Sequence, residues 1–140
     1  MFEVTRDIEW GECDALGIVF YPSFFKWMDA AFHAFTRSEG FDQASLSRDH
    51  QICGTPLVDA GCTFLSPGRY YEPLTIAVSV TKLGRSSVSL AYSFHIGETA
   101  IAEGRETRAF VKSDEDGLRK AEIPGDIRNR LERHVGQTSA

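Results

Sequence analysis

The clearest pattern near the start of the chain is a helical periodicity over residues 22–37. Pro22 suits the first helical position, since its φ is already helical and its missing N–H costs no hydrogen bond there, and this makes Tyr21 the expected N-cap. Beyond it, the polar side chains fall within an arc of roughly 100° on a helical wheel. The remaining surface is apolar, so the helix is predicted to be largely enclosed by other structure. The polar positions are Lys26, Asp29, His33, Thr36 and Arg37.

From residue 57 onward the period changes to two. Residues 57–64, 74–81 and 87–96 alternate apolar and polar side chains, which is typical of strands with one buried face, and residues 100–112 do so less regularly. Turn-forming residues at 66–68, 84–86 and 97–98 predict links between antiparallel neighbours. Residues 2–10 predict a first strand, with the polar Arg6 as the exception on its apolar face.

The long helix is predicted to end near Gly40. Shorter elements complete the prediction: a second helix over 41–49, a last strand over 118–123, a helix over 124–133 and a frayed end over 136–140. One long apolar helix followed by four or five half-buried strands predicts an α+β fold, in which the sheet curls around the helix and buries both apolar surfaces. The pattern alone fits other folds of a helix and a sheet as well.

Composition narrows the class of protein. A chain of 140 residues suits a single domain over residues 1–140, and a net charge of −5 argues against a nucleic-acid binder. No apolar run reaches the ~20 residues of a membrane span and the first ten residues lack a secretory signal, so a cytoplasmic location is expected. Three widely spaced cysteines, Cys13, Cys53 and Cys62, fit neither a disulfide framework nor a zinc site, and the histidines lack metal-ligand spacing, so no metal is expected.

Residues 8–22 read IEWGECDALGIVFYP, and residues 25–31 continue as FKWMDAA. This stretch resembles the hotdog-fold thioesterases, and within them the 4-hydroxybenzoyl-CoA thioesterase branch that carries its acid in the loop before the helix. The likeness extends through residues 54–56, Tyr70, residues 74–76 and residues 122–124. It implies a hotdog fold, with an antiparallel sheet of about five strands around one central helix. It also implies hydrolysis of an acyl-CoA thioester by a homo-oligomer, a dimer at minimum and a tetramer in most relatives, with active sites at a subunit interface. Coenzyme A enters as part of the substrate, and no separate cofactor is expected.

The chemistry of thioester hydrolysis fits these residues. The carbonyl oxygen becomes an oxyanion, and a helix N-terminus offers unpaired N–H groups and a positive dipole end. Because Pro22 has no N–H, the Tyr21 amide is the nearest donor, and it matches the family's oxyanion contact. Asp14 is then the candidate nucleophile, forming an anhydride, or the general base that activates water. Gly17 lets the backbone turn between them. Without the surrounding motif, Asp14 would read as a turn former.

Other residues are assigned to substrate binding. Pro22, Phe20 and Phe24 belong to this set, and the apolar side chains of Phe20, Phe24 and Trp27 permit either an aromatic ring or a medium-length chain. Thr55 matches a position near the acyl group in the family, although it also suits a plain turn. Lys82 and Arg85 match the strand end and turn where relatives bind CoA phosphates, with a sparser basic cluster than those relatives carry. Arg105 and Arg108 are the next candidates for the phosphates.

Several alternatives stay open. Cys13 is a rival nucleophile but is interpreted as a packed thiol, because no basic partner lies nearby. Glu12 is interpreted as solvated or as a loop contact, and His33 as pairing with Asp29 on the helix surface or at a subunit interface. A non-catalytic hotdog that binds acyl-CoA, and a pocket enzyme that uses Asp14 and a tyrosine such as Tyr92 for proton transfer, are the competing functions.

Overall fold

The computed structural model describes residues 1–136, which form three helices and seven strands. In chain order these are β1 (Phe2–Asp7), α1 (Pro22–Ser38), α2 (Gln43–His50), β2 (Leu57–Phe64), β3 (Pro73–Leu83), β4 (Ser87–Ile96), β5 (Thr99–Ala109), β6 (Val111–Asp114), β7 (Gly117–Lys120) and α3 (Gly125–Glu132). A 3-10 turn, Trp10–Glu12, lies between β1 and α1. Beyond Gly136, the frayed end expected at the C-terminus lies outside the described residues.

Five strands form one antiparallel sheet in the order β1-β3-β4-β5-β2, and β6 and β7 form a separate hairpin. The turns predicted at 84–86 and 97–98 do join neighbouring strands. The prediction for 66–68 was wrong, because β2 lies at one edge of the sheet while β3 lies beside β1 near the other. Alternation shows which face of a strand is buried but not which strand it pairs with.

Helix α1 packs its apolar side against the sheet. The ring of Phe24 lies 5.2 Å from that of Phe94 on β4, edge to face. Met28 approaches β5 at Gly104, where an added Cβ would lie only 2.3 Å from the Met28 sulfur. The predicted α+β architecture, a sheet curled around one long helix, is confirmed. Thr36 departs from the predicted polar stripe: it is buried, and its hydroxyl donates to the His33 carbonyl at 3.1 Å.

Element ends differ from the sequence prediction in three places. β1 ends at Asp7, because the chain enters the 3-10 turn. The strand predicted over 100–112 breaks at Phe110, whose N–H donates to the Ser86 carbonyl at 2.8 Å, and the chain then starts the β6–β7 hairpin. The last strand is Gly117–Lys120 rather than 118–123. The helices predicted over 41–49 and 124–133 are present as α2 and α3.

A buried ionic cluster joins the sheet to α1. Arg108 and Glu106 lie two residues apart on β5, and they are 3% and 2% exposed. The Arg108 guanidinium donates to both Glu106 carboxylate oxygens, at 3.0 and 3.1 Å, to Asp29 Oδ1 at 2.8 Å and to the Thr55 carbonyl at 3.2 Å. Tyr92 donates to Glu106 Oε1 at 2.6 Å. Arg108 is therefore committed to protein partners, and the suggestion that it meets CoA phosphates was wrong.

None of the helices within residues 1–136 is both long enough and apolar enough to cross a membrane.

Candidate active site

Asp14 lies in a tight loop that its own backbone helps to close. Its N–H donates to the Ile18 carbonyl at 2.8 Å, and its carbonyl accepts the Gly17 N–H at 3.0 Å. Gly17 has φ +77°, a left-handed conformation that glycine adopts without steric cost, so the turn expected there is present. The Asp14 carboxylate is half-buried, and its Oδ1 accepts the Leu16 N–H at 2.8 Å. Within residues 1–136, its other oxygen has no hydrogen-bond donor.

The first turn of α1 leaves one backbone donor unused. Helix α1 begins at Pro22 with Tyr21 as N-cap, as predicted. The Ser23 N–H donates to the Phe20 carbonyl at 2.9 Å, and the Phe24 N–H donates to the Tyr21 carbonyl at 3.2 Å. Within the part of the chain that the structure describes, the Tyr21 N–H has no acceptor. The positive end of a helix dipole and an unpaired N–H coincide at this point, which is the arrangement that an oxyanion requires.

The loop is tied to α1 through Glu12. The Glu12 carboxylate accepts from Arg6 Nη2 at 2.5 Å, from the Trp27 indole N–H at 2.6 Å and from the Glu9 N–H at 2.8 Å. The loop-contact interpretation of Glu12 was the correct one, and its side chain is only 17% exposed. Sequence reasoning did not connect it to Arg6, although a polar residue on the apolar face of β1 was a signal that a buried partner existed.

An apolar cavity of about 350 Å³ lies beside the start of α1. Of the predicted site residues, Tyr21 and Phe24 line it, while Phe20 is 49% exposed outside it. A cavity with apolar walls at the N-terminus of a helix can hold an acyl group with its carbonyl directed at the helix. The lining residues are Ile18, Val19, Tyr21, Phe24, Phe64, Leu65, Ser66, Pro67 and Gly68.

Thr55 lies elsewhere in the chain. It is 7% exposed and lines a second cavity, of about 370 Å³, together with His33, Cys53 and Arg108. A single chain therefore does not bring Thr55 into the cavity that Tyr21 and Phe24 line.

Lys82 and Arg85 lie at the end of β3 and in the turn that joins β3 to β4, as predicted. The Arg85 side chain is 82% exposed, with its Nη2 only 3.7 Å from a carboxylate oxygen of the exposed Glu122. Arg105 is also exposed but pairs with Asp59 at 3.2 Å. Lys82 and Arg85 are both exposed, and the ion pair of Arg85 with Glu122 is longer than that of Arg105 with Asp59.

The rival nucleophile and the surface pair were interpreted correctly. Burial, followed by the neighbouring Asp14 and Glu12 carboxylates, raises the pKa of the Cys13 thiol, which disfavours the reactive thiolate. His33 Nε2 lies 3.6 Å from Asp29 Oδ1 on α1. Within residues 1–136, no group of three or more His, Cys, Asp or Glu side chains is arranged to hold a metal ion.

An antiparallel five-stranded sheet wrapped around one long helix, with an acidic loop leading into that helix, is the architecture of the hotdog-fold thioesterases. The sequence profile of the Thioesterase-like superfamily matches residues 8–131, and the chain belongs to this superfamily. The resemblance seen in the sequence is confirmed.

Individual relatives are similar over nearly their whole length. The 4-hydroxybenzoyl-CoA thioesterase of Pseudomonas sp. strain CBS-3 is 30% identical over 133 residues, covering 88% of this chain and 92% of that one. Its solved structure superposes with a TM-score of 0.85 at 28% identity, covering 92% and 97% of the two chains. A gentisyl-coenzyme A thioesterase is 34% identical with a TM-score of 0.79, covering 91% and 99%.

Proposed function

We propose that this protein hydrolyses an aromatic acyl-CoA thioester to the free acid and coenzyme A. One observation carries the proposal: Tyr21, whose N–H has no acceptor within residues 1–136, lines an apolar cavity of about 350 Å³ at the start of α1, and the loop leading into that helix carries a carboxylate, Asp14, with one oxygen unpaired within the same residues. Two relatives similar over nearly their whole length are named for thioesters of hydroxylated benzoic acids. That likeness supports an aromatic acyl group in the cavity.

The Tyr21 N–H stabilises the negative charge that develops on the carbonyl oxygen. Asp14 starts the reaction by one of two routes. In the first route Asp14 is a nucleophile: its carboxylate oxygen bonds to the thioester carbon, the carbon–sulfur bond breaks and coenzyme A leaves as a thiolate. Water then hydrolyses the mixed anhydride that joins Asp14 to the acyl group. As a general base, Asp14 accepts a proton from a water molecule whose oxygen bonds to the same carbon; the carbon–sulfur bond then breaks, coenzyme A leaves as a thiolate and Asp14 gives up its proton. A single turnover in water labelled with heavy oxygen identifies one form of the anhydride route: unlabelled acid, with the label on Asp14, shows an anhydride whose Asp14 carbonyl is attacked by water. Labelled acid shows that water attacks the acyl carbon, which happens in the general-base route and in an anhydride opened at that carbon.

The remaining residues of the candidate site are assigned to substrate binding. Phe24 and its neighbours in the cavity pack against the acyl group, while Phe20 and Pro22 shape its entrance. Lys82 and Arg85 bind the phosphates of the CoA nucleotide as exposed cations. Gly17 holds the loop that carries Asp14 through its left-handed backbone.

The active protein is proposed to be a homo-oligomer, a dimer that assembles further into a tetramer. In the described chain β2 is a sheet edge, pairing only with β5. An open edge is a template for another strand. Around this edge Leu57, Val58, Phe64 and Leu65 are each about half exposed. A second subunit on β2 covers these side chains, and it can supply the Thr55 that a single chain leaves in a separate cavity.

Thiol release measured with aromatic, short-chain and long-chain acyl-CoAs tests the proposal. Turnover is expected, fastest with hydroxylated benzoyl-CoA. Tight binding of these compounds with no turnover of any would instead support the non-catalytic acyl-CoA binder. Sedimentation in the same buffer tests the assembly, and a mass of one chain at micromolar concentration would contradict it.

A further inference from the structure

We propose that Glu12 is a positioning residue for the hydrolysis: its carboxylate holds the Asp14 loop in one place relative to the start of α1. The inference rests on the proposed function, since it assigns Glu12 a role that acts through Asp14.

The Glu12 carboxylate is surrounded by hydrogen-bond donors. Its Oε2 accepts from Arg6 Nη2 at 2.5 Å and from the Trp27 indole N–H at 2.6 Å, and its Oε1 accepts the Glu9 N–H at 2.8 Å. A carboxylate is the side chain that accepts on both oxygens. A glutamine would turn its NH₂ group toward at least one of these donors, because an amide has only one accepting end.

The donors come from three parts of the fold. Arg6 lies on β1, Glu9 lies just before the 3-10 turn, and Trp27 is a buried residue of α1. The Arg6 guanidinium also lies 5.2 Å from the centre of the Trp27 ring. Glu12 therefore anchors the turn to both a strand and the helix, two residues before Asp14.

The Glu12 backbone links the same turn to the helix start. Its carbonyl accepts the Phe20 N–H at 2.9 Å and the Ser23 hydroxyl at 3.0 Å. These two residues flank Tyr21 and Pro22, so side chain and backbone of Glu12 together connect the segment carrying Asp14 to the segment carrying the Tyr21 N–H. A misplacement of about 1 Å in reacting groups can cost 100-fold in rate.

The first test is Glu12→Gln, with Glu98→Gln as the matched control, since Glu98 is an exposed carboxylate in the turn between β4 and β5. We expect Glu12→Gln to lower kcat by about 10- to 100-fold while the Kd for a non-hydrolysable acyl-CoA analogue changes less than about threefold. Glu98→Gln should leave both unchanged. An unchanged kcat in folded Glu12→Gln, or equal losses in kcat and binding, would overturn the inference.

The second test is a double-mutant cycle with Asp14→Asn. If Glu12 acts through Asp14, Glu12→Gln should cause little further loss of kcat when Asp14 is already Asn. Full additivity would overturn the positioning role and leave the proposed function standing. Near wild-type turnover of Asp14→Asn would overturn the assignment of Asp14 and the role of Glu12 with it. If Glu12→Gln does not fold, Trp27→Phe removes one donor while keeping an aromatic ring, and the same criteria apply to it.

Discussion

The buried cluster around Arg108 gives the sharpest prediction about stability. We consider Arg108→Met, which keeps most of the side-chain volume and removes the charge. Within residues 1–136, the change leaves Glu106, 2% exposed, without its cation and with only the Tyr92 hydroxyl donating to it. It also removes the donor to the Thr55 carbonyl and a partner of Asp29.

The magnitude follows from the burial of both charges. Removing one partner of a buried ion pair typically costs 3–5 kcal/mol, because the other charge is left uncompensated in a poorly solvated site. We therefore expect Arg108→Met to lower the free energy of unfolding by about 3–5 kcal/mol. Replacing Glu106 with Met as well removes the stranded charge. The Thr55 carbonyl and Asp29 have already lost Arg108 in the single variant, so the second change adds the loss of the acceptor for the Tyr92 hydroxyl, at about 1–3 kcal/mol. The double variant should then be more stable than Arg108→Met alone.

Arg105→Met is the matched control on the same strand, since Arg105 pairs with Asp59 but its side chain is 65% exposed. Exposed pairs contribute at most about 1 kcal/mol, so this variant should stay close to the parent. Urea unfolding followed by circular dichroism measures all of them, at one protein concentration because association stabilises the folded state. A loss below about 1 kcal/mol for Arg108→Met, or a double variant less stable than the single, would refute this account of the cluster.

Three further predictions concern Tyr21, the Lys82–Arg85 pair and Tyr92. Tyr21→Phe should change kcat by less than about tenfold, because the oxyanion donor that we propose is the backbone N–H, which this variant keeps; a loss of several hundredfold in the folded variant would assign the chemistry to the hydroxyl. Replacing Lys82 and Arg85 together with Ala should raise KM and reduce its dependence on salt while sparing kcat, and an unchanged KM would place the phosphates elsewhere. Burial and the neighbouring Glu106 carboxylate raise the pKa of Tyr92 well above its ordinary value. The folded state therefore favours the neutral phenol. The free energy of unfolding should keep its full value below about pH 10 and fall as the pH rises further. An unfolding free energy that is no lower at pH 11 than at pH 9 would contradict this.

The sequence predicted those parts of the fold that depend on local pattern. Pro22 marks the start of α1 by its backbone chemistry, and the alternation over 87–96 matches β4 within its bounds. Strand pairing was not predictable in the same way, because it depends on how the whole sheet packs. The turn at 66–68 joins β2 and β3, which are not neighbours in the sheet.

The residues of the candidate site also differ in how far a local sequence pattern could predict them. Asp14 and Tyr21 lie close together in sequence, so a motif with its spacing could indicate both. Glu12 and Arg108 make contacts with residues on other elements of the fold: Glu12 with Arg6 on β1 and Trp27 on α1, and Arg108 with Thr55. No local pattern in the sequence connects these residues. The isolated polar residue on the apolar face of β1 was the one visible sign of such a contact.

We propose that Asp14 performs the chemistry at the N-terminus of α1, and the single-turnover rate of Asp14→Asn, with acyl-CoA binding measured on the same preparation, tests this role. We expect a rate at least about 100-fold below that of the parent, with the fold and the affinity retained, since a positioned acid or base alone contributes 10²–10⁴. A folded Asp14→Asn protein that turns over its thioester at close to the parent rate would contradict it.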